Sequence, residues 1–148
     1  MNKTNYSFLI ILFVVSFFLI FQSLSYEAKT GDKVLDQKLK EINSKAIRNL
    51  DDFKKEMAFN YQTSESDISE MLKIMEPAEI LFTYEISIVS SNSVDKIIKS
   101  FKKHKKEGWK VIIRDMGIYS NSEKFKDLKN LSIYKREEIN KNPVSQNK

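Results

Sequence analysis

The side chains with chemical reach gather between residues 102 and 114. Lys102, Lys103, Lys105, Lys106, Lys110 and Arg114 cluster there with Glu107 as the one acid among them. Such a run can meet phosphate, lipid headgroups or an acidic protein surface. A solvated lysine face is the plainer reading of the same residues. The run is split at Gly108 into two short helical stretches, a layout resembling a helix-turn-helix, but the second stretch has few base-reading groups beyond Arg114. Trp109, the single tryptophan, opens that second stretch. It is expected as a core anchor, since an indole buries ~200 Å² and so contributes on the order of 5 kcal/mol before entropy. An exposed platform for a partner is its alternative role.

Other chemistry is thinly supplied. The chain has no Cys, which excludes disulfides, thiolate nucleophiles and thiolate metal sites. His104 stands alone, three residues after Phe101, and reads as a packed or surface side chain. Glu76, Glu79 and Glu85 are hard oxygen donors in type. Their plainer reading is as surface carboxylates, Glu76 and Glu79 favoured by a helix dipole. There is no G-x-S-x-G, and three glycines at 31, 108 and 117 leave no Gly-rich phosphate loop. The residues therefore predict no catalytic, cofactor-binding or metal-binding set, no cofactor, and no enzymatic activity.

The elements that would position these groups are helical. Leu35, Leu39, Ile42, Ala46, Leu50, Phe53 and Met57 advance 22 positions in six steps, a mean of 3.67, which is one helix face. Asp32 is placed to cap it. Ser64 or Ser66 caps a short helix with Ile68, Met71, Leu72 and Met75 on one side. Pro77 suits the first turn of the next. From Ile80 to Ile88 the pattern is ambiguous. Ile80, Phe82, Tyr84, Ile86 and Ile88 alternate as a strand would, while Ile80, Leu81, Tyr84 and Ile88 fit a helix. Pro77 and the lack of a hairpin turn favour helix. Ser93 caps a helix bearing Val94, Ile97, Ile98 and Phe101, and Gly108 suits a left-handed stop. Trp109, Ile112, Ile113 and Met116 form the next face, ended by Gly117. Ser122 and Glu123 begin a last helix with Phe125, Leu128, Leu131 and Ile139.

The two ends differ from this middle. Lys3 precedes an apolar run from Phe8 to Phe21, and Ser23-Leu24-Ser25 follows it. A run of 14 residues suits a signal peptide and is short for a span needing ~20. Residues 1–25 are expected to be cleaved before Tyr26. The alternative is a membrane anchor over 7–25. Lys29, Lys33, Lys38 and Lys40 after the run would then hold the domain on the cytoplasmic side. Loss of residues 1–25 removes Lys3 alone and leaves 24 basic against 20 acidic groups, too even for a charge-driven nucleic-acid binder. Residues 26–33 read as a linker, 34–140 as one helical domain and 141–148, with Pro143, as a disordered tail.

Gly108-Trp109-Lys110-Val111-Ile112 followed by Met116-Gly117-Ile118 resembles a motif of small exported bacterial helical proteins of no known activity. In these a Gly-Trp-Gly-x-Ile segment precedes Leu-Gly-Ile or Met-Gly-Ile and a Pro-Gly-Ser-x-Glu-Phe turn. Met75-Glu76-Pro77-Ala78-Glu79-Ile80 and Ser122-Glu123-Lys124-Phe125 are similar too. The chain departs at Lys110, where a second glycine is usual, and at Ser120-Asn121, in place of Pro-Gly. The resemblance implies an exported, helical protein and nothing about activity.

The combined expectation is an all-α bundle of about five helices in a single domain, with an α+β fold carrying a strand at 80–89 as the alternative. Its expected place is the bacterial periplasm or the secreted fraction. Its expected role is a non-enzymatic interaction or structural module of the cell envelope, binding an envelope protein. Nucleic acid is not an expected partner, and a membrane is one only through an uncleaved N-terminal segment. The other functional reading is a nucleic-acid or anionic-surface binder using Lys102 to Arg114.

Overall fold

A computed structural model describes residues 26–131 of the chain. The expected signal peptide, the anchor at 7–25, the tail and Ile139 lie outside these residues. The described part is helical, with no strand. Its helices are α1 (Lys33–Arg48), α2 (Leu50–Tyr61), α3 (Glu65–Leu72), α4 (Pro77–Ser90), α5 (Val94–His104), α6 (Trp109–Asp115) and α7 (Glu123–Asn130). The described residues thus carry seven helices, against the five or so expected. None is long and apolar enough to cross a membrane.

The extra helices come from breaks that leave the apolar period intact. The face from Leu35 to Met57 is continuous in sequence, but the backbone leaves the helix at Asn49 with φ −148° and ψ 79°. The Asn49 side chain then accepts from the amide of Asp52 and restarts the chain as α2. Leu35, Leu39, Ile42, Ala46, Phe53 and Met57 are still buried, while Leu50, at the break, is exposed. Gly108 also acts differently from expectation. It caps the start of α6 with φ 87° and ψ 177°, a region essentially closed to side chains, and α5 has already ended at His104. Gly117 does end α6 as expected. Its amide bonds to Arg114 and the Ile118 amide to Ile113, the paired closure of a Schellman turn.

The ambiguous segment is α4, and it is the centre of the molecule. Pro77 to Thr83, Glu85 and Ile86 are all buried, on every side of the helix. A helix covered all round carries little helical period in its sequence. The alternation of Ile80, Phe82 and Ile86 therefore reflects burial, while Ile88, near the far end, is exposed, and the strand alternative is not realised. Around α4 pack α1, α2, α3, α5 and α7. Trp109 joins the same core, 1% exposed, with its ring 5.0 Å from Phe82 at 72° and 5.4 Å from Phe101.

Trp109→Ala should therefore lower the unfolding free energy by roughly 3–5 kcal/mol in urea titration. Replacing the exposed Lys102, Lys103 and Lys106 with Gln should leave the melting temperature nearly unchanged, because solvated charges contribute little.

Candidate functional site

The buried polar groups converge on the first turn of α4. Pro77 has no N–H, so the turn begins with one donor fewer to satisfy. Asn43, buried on α1, accepts from the Ala78 amide at 3.1 Å and donates to Glu76 Oε2 at 3.3 Å. The Glu79 carboxylate turns back and accepts from the Glu76 amide at 2.8 Å. This is a capping box with glutamate at both ends. Thr83 closes the turn above, its hydroxyl donating to the Glu79 carbonyl at 2.8 Å.

Glu79 is the unusual member. It is 7% exposed, and burial holds its pKa above the ordinary carboxyl value against the Glu76 amide and the charge of Lys105, which pull it down. The Trp109 indole also favours the charged form of Glu79. Yet Trp109 Nε1 is buried and makes no hydrogen bond of normal length among the described residues. The Tyr26 hydroxyl is in the same condition. Burial, then the carboxylates of Glu79, Asp36 and Glu76, push the Tyr26 phenol far above its usual range. Two orphaned donors beside one buried acid are costly, at roughly 1–3 kcal/mol for each unsatisfied group.

Tyr26 reaches this point because residues 26–32 are docked. The segment is neither helix nor strand, but Ala28 and Thr30 are buried. The Ala28 and Lys29 carbonyls accept from the Trp109 and Lys110 amides at 3.0 and 2.9 Å, capping a helix whose own cap, Gly108, has no side chain. Thr30 donates to Asp36 through its amide and its hydroxyl, both at 2.8 Å. At the far end Asp32 caps α1 and pairs with Lys129 at 2.7 Å. The Lys129 hydrogen bond, followed by the Leu35 amide, holds the Asp32 carboxyl below its ordinary pKa.

The basic run is dispersed by comparison. Lys102, Lys103, Lys105, Lys106, Lys110 and Arg114 are all exposed. Lys105 donates to the Ile74 carbonyl at 3.1 Å and stands 5.2 Å over the Phe101 ring, and among them only Lys105 acts on Glu79. The aliphatic stem of Lys110 lies against Gly31. Trp109 is in the core, so its role as an exposed platform is not realised. His104 is half-buried between Glu107, 2.7 Å from Nδ1, and Asp115, 3.4 Å from Nε2. Of the three glutamates read as surface groups, only Glu76 is exposed. Glu85 is 1% exposed and accepts from the Tyr61 hydroxyl at 2.8 Å. Among the described residues no group of three His, Asp or Glu is arranged to hold a metal ion.

Tyr26, Thr30 and Asn43 were missed as site residues. The signal that could have found the turn is Glu76-Pro77-x-Glu79, since a proline at the first helical position with a glutamate two residues on is a helix start that folds back on itself.

The fold is thus that of a small, all-helical domain. A family model described as aminotransferase class-V matches residues 27–145, and the chain belongs to that family. No curated protein and no solved structure matches it. The family match overturns the expectation of a non-enzymatic envelope module, its anionic-surface alternative and the absence of enzymatic activity. It also replaces the reading of the chain as a protein of no known activity.

Aminotransferase chemistry depends on pyridoxal phosphate, which a lysine holds as a Schiff base while an acidic group meets the ring nitrogen. Such a lysine needs shielding from water to be nucleophilic. Residues 26–131 do not fit this group. Their lysines are exposed, except Lys54 and Lys129, which are partly covered and paired with Asp51 and Asp32. Glu79 is a buried acid, but the one lysine acting on it, Lys105, is exposed and engaged with Ile74.

Glu79 predicts a pH dependence. Its pKa is raised on folding, so the stability it contributes is full below the ordinary carboxyl value of 4.5 and is lost as pH rises through its folded value. Glu79→Gln keeps the acceptor for the Glu76 amide and cannot ionise. In thermal melts run from about pH 4 to about pH 8, the wild-type protein should lose stability relative to Glu79→Gln as pH rises.

Proposed function

We propose that the chain serves a pyridoxal-phosphate-dependent reaction of the aminotransferase class, with residues 26–131 as a helical unit that does not itself carry the cofactor. The observation that carries this reading is the family match across residues 27–145. The exposure of the lysines in 26–131 sets its second half. What these residues contribute is a rigid support. The first turn of α4 is fixed by Asn43 and Glu79, and the backbone of residues 28 and 29 caps α6 when it is docked.

The test is reductive trapping. The full chain is incubated with pyridoxal phosphate, reduced with borohydride and mapped by peptide mass, in parallel with an amino-transfer assay using amino acid donors and 2-oxo acid acceptors. An adduct outside residues 26–131, where Lys135 and Lys141 are the lysines of the matched range, supports the proposal. A stoichiometric adduct on one lysine within 26–131 overturns its second half. Neither adduct nor transfer overturns it as a whole.

A further inference from the structure

Three unfavourable features of this domain meet at one contact. Lys29 takes φ 55°, a left-handed conformation that a side chain disfavours. The Tyr26 hydroxyl is buried without a partner among the described residues, and the buried Trp109 indole N–H faces Glu79 without a hydrogen bond of normal length. All three arise where residues 26–32 close over the first turns of α4 and α6. The closure also tolerates no bulk. A Cβ at Gly108 would stand 2.5 Å from the Lys29 Cβ and 3.1 Å from the Lys29 carbonyl oxygen.

The bonds that hold the segment down are few and lie at its two ends. Ala28 and Lys29 accept from Trp109 and Lys110, and Thr30 and Asp32 are tied to Asp36 and Lys129. Release of the first group alone would give water to the Tyr26 hydroxyl and the Trp109 indole, relax Lys29 and uncover Glu79. The Thr30–Asp36 bonds would remain as a hinge. Local openings of this kind occur below the free energy of global unfolding in segments held by few contacts.

We infer that residues 26–29 form a lid, hinged at Thr30, that opens off Glu79 and Trp109 while the helical core stays folded. The lid is a conformational device of this domain and stands apart from the aminotransferase reading. Its opening turns a sealed carboxyl, an indole N–H and a phenol into solvent-reachable groups beside Lys105.

Native-state hydrogen exchange of the full chain reads the opening at single amides. The Trp109 and Lys110 amides, which bond only to the lid carbonyls, should exchange roughly tenfold or more faster than the Phe82 and Thr83 amides in α4. Tyr26→Phe removes an unpartnered hydroxyl and keeps the ring. It should slow exchange at Trp109 and Lys110 by roughly fivefold, the factor that goes with one unsatisfied buried group. Lys29→Gly relieves the left-handed φ and should also slow it. Exchange at Trp109 and Lys110 in step with α4 would overturn the lid, as would faster exchange in Tyr26→Phe. The two variants fold as the wild type does if the Phe82 amide keeps its rate, which separates a change in the lid from a change in global stability.

Discussion

A helix buried on all sides must also bury its first turn, where backbone N–H groups have no helical partner. That constraint governs α4 and, through it, the molecule. Pro77 removes one of those donors, Asn43 takes the Ala78 amide, and Glu79 takes the Glu76 amide. Each solution comes from a different source: the turn itself, its own side chain, and a neighbouring helix. Asn43 thereby fixes how α1 meets α4, and α2, α3, α5 and α7 also pack against α4. The cost of the arrangement is a carboxyl group in the interior, and the raised pKa of Glu79 expresses that cost.

The readable part of the fold was the part with one wet side. α5 shows it well: Ile97 and Phe101 face the core, while Lys99, Lys102 and Lys103 face water. The caps at Asp32, Ser64, Ser93 and Ser122 were likewise legible, because each side chain accepts from an amide two or three residues on. The break at Asn49 was not. The apolar spacing runs through it unbroken, and the two flanking helices bury the same face. The strand-like alternation of α4 had the opposite cause, an excess of apolar positions in a helix whose first turns have no wet side. Residues 26–33 read as a linker from their polarity, but polarity does not report backbone carbonyls. It is the carbonyls of Ala28 and Lys29 that dock the segment.

The site was half legible for a related reason. Glu79 and Trp109 each drew notice for their type, one as a dipole-favoured acid and one as a large ring. Their meeting depends on the path from α4 to α6, which brings residues 30 apart in sequence to one carboxyl group. Family membership was not legible in short motifs at all. Nor does it bring a cofactor lysine into residues 26–131, whose amines are outside the core. Family relation and local chemistry therefore have to be argued separately for this chain, since fold and site do not imply each other.

The pairing of Asp32 with Lys129 has a mechanical meaning. Lys38 reinforces it by donating to the Lys129 carbonyl at 2.9 Å, so the chain enters α1 and leaves α7 at the same corner. A pull applied to the two flanking segments would load the bonds of Ala28 and Lys29 to α6 and then this corner, and peel them one at a time. The helices of the core would not be drawn past one another until the corner had parted. Bonds broken in sequence resist less than bonds sheared together. The entry to α1 and the exit from α7 thus share one set of bonds, and a load on either flank is felt at both.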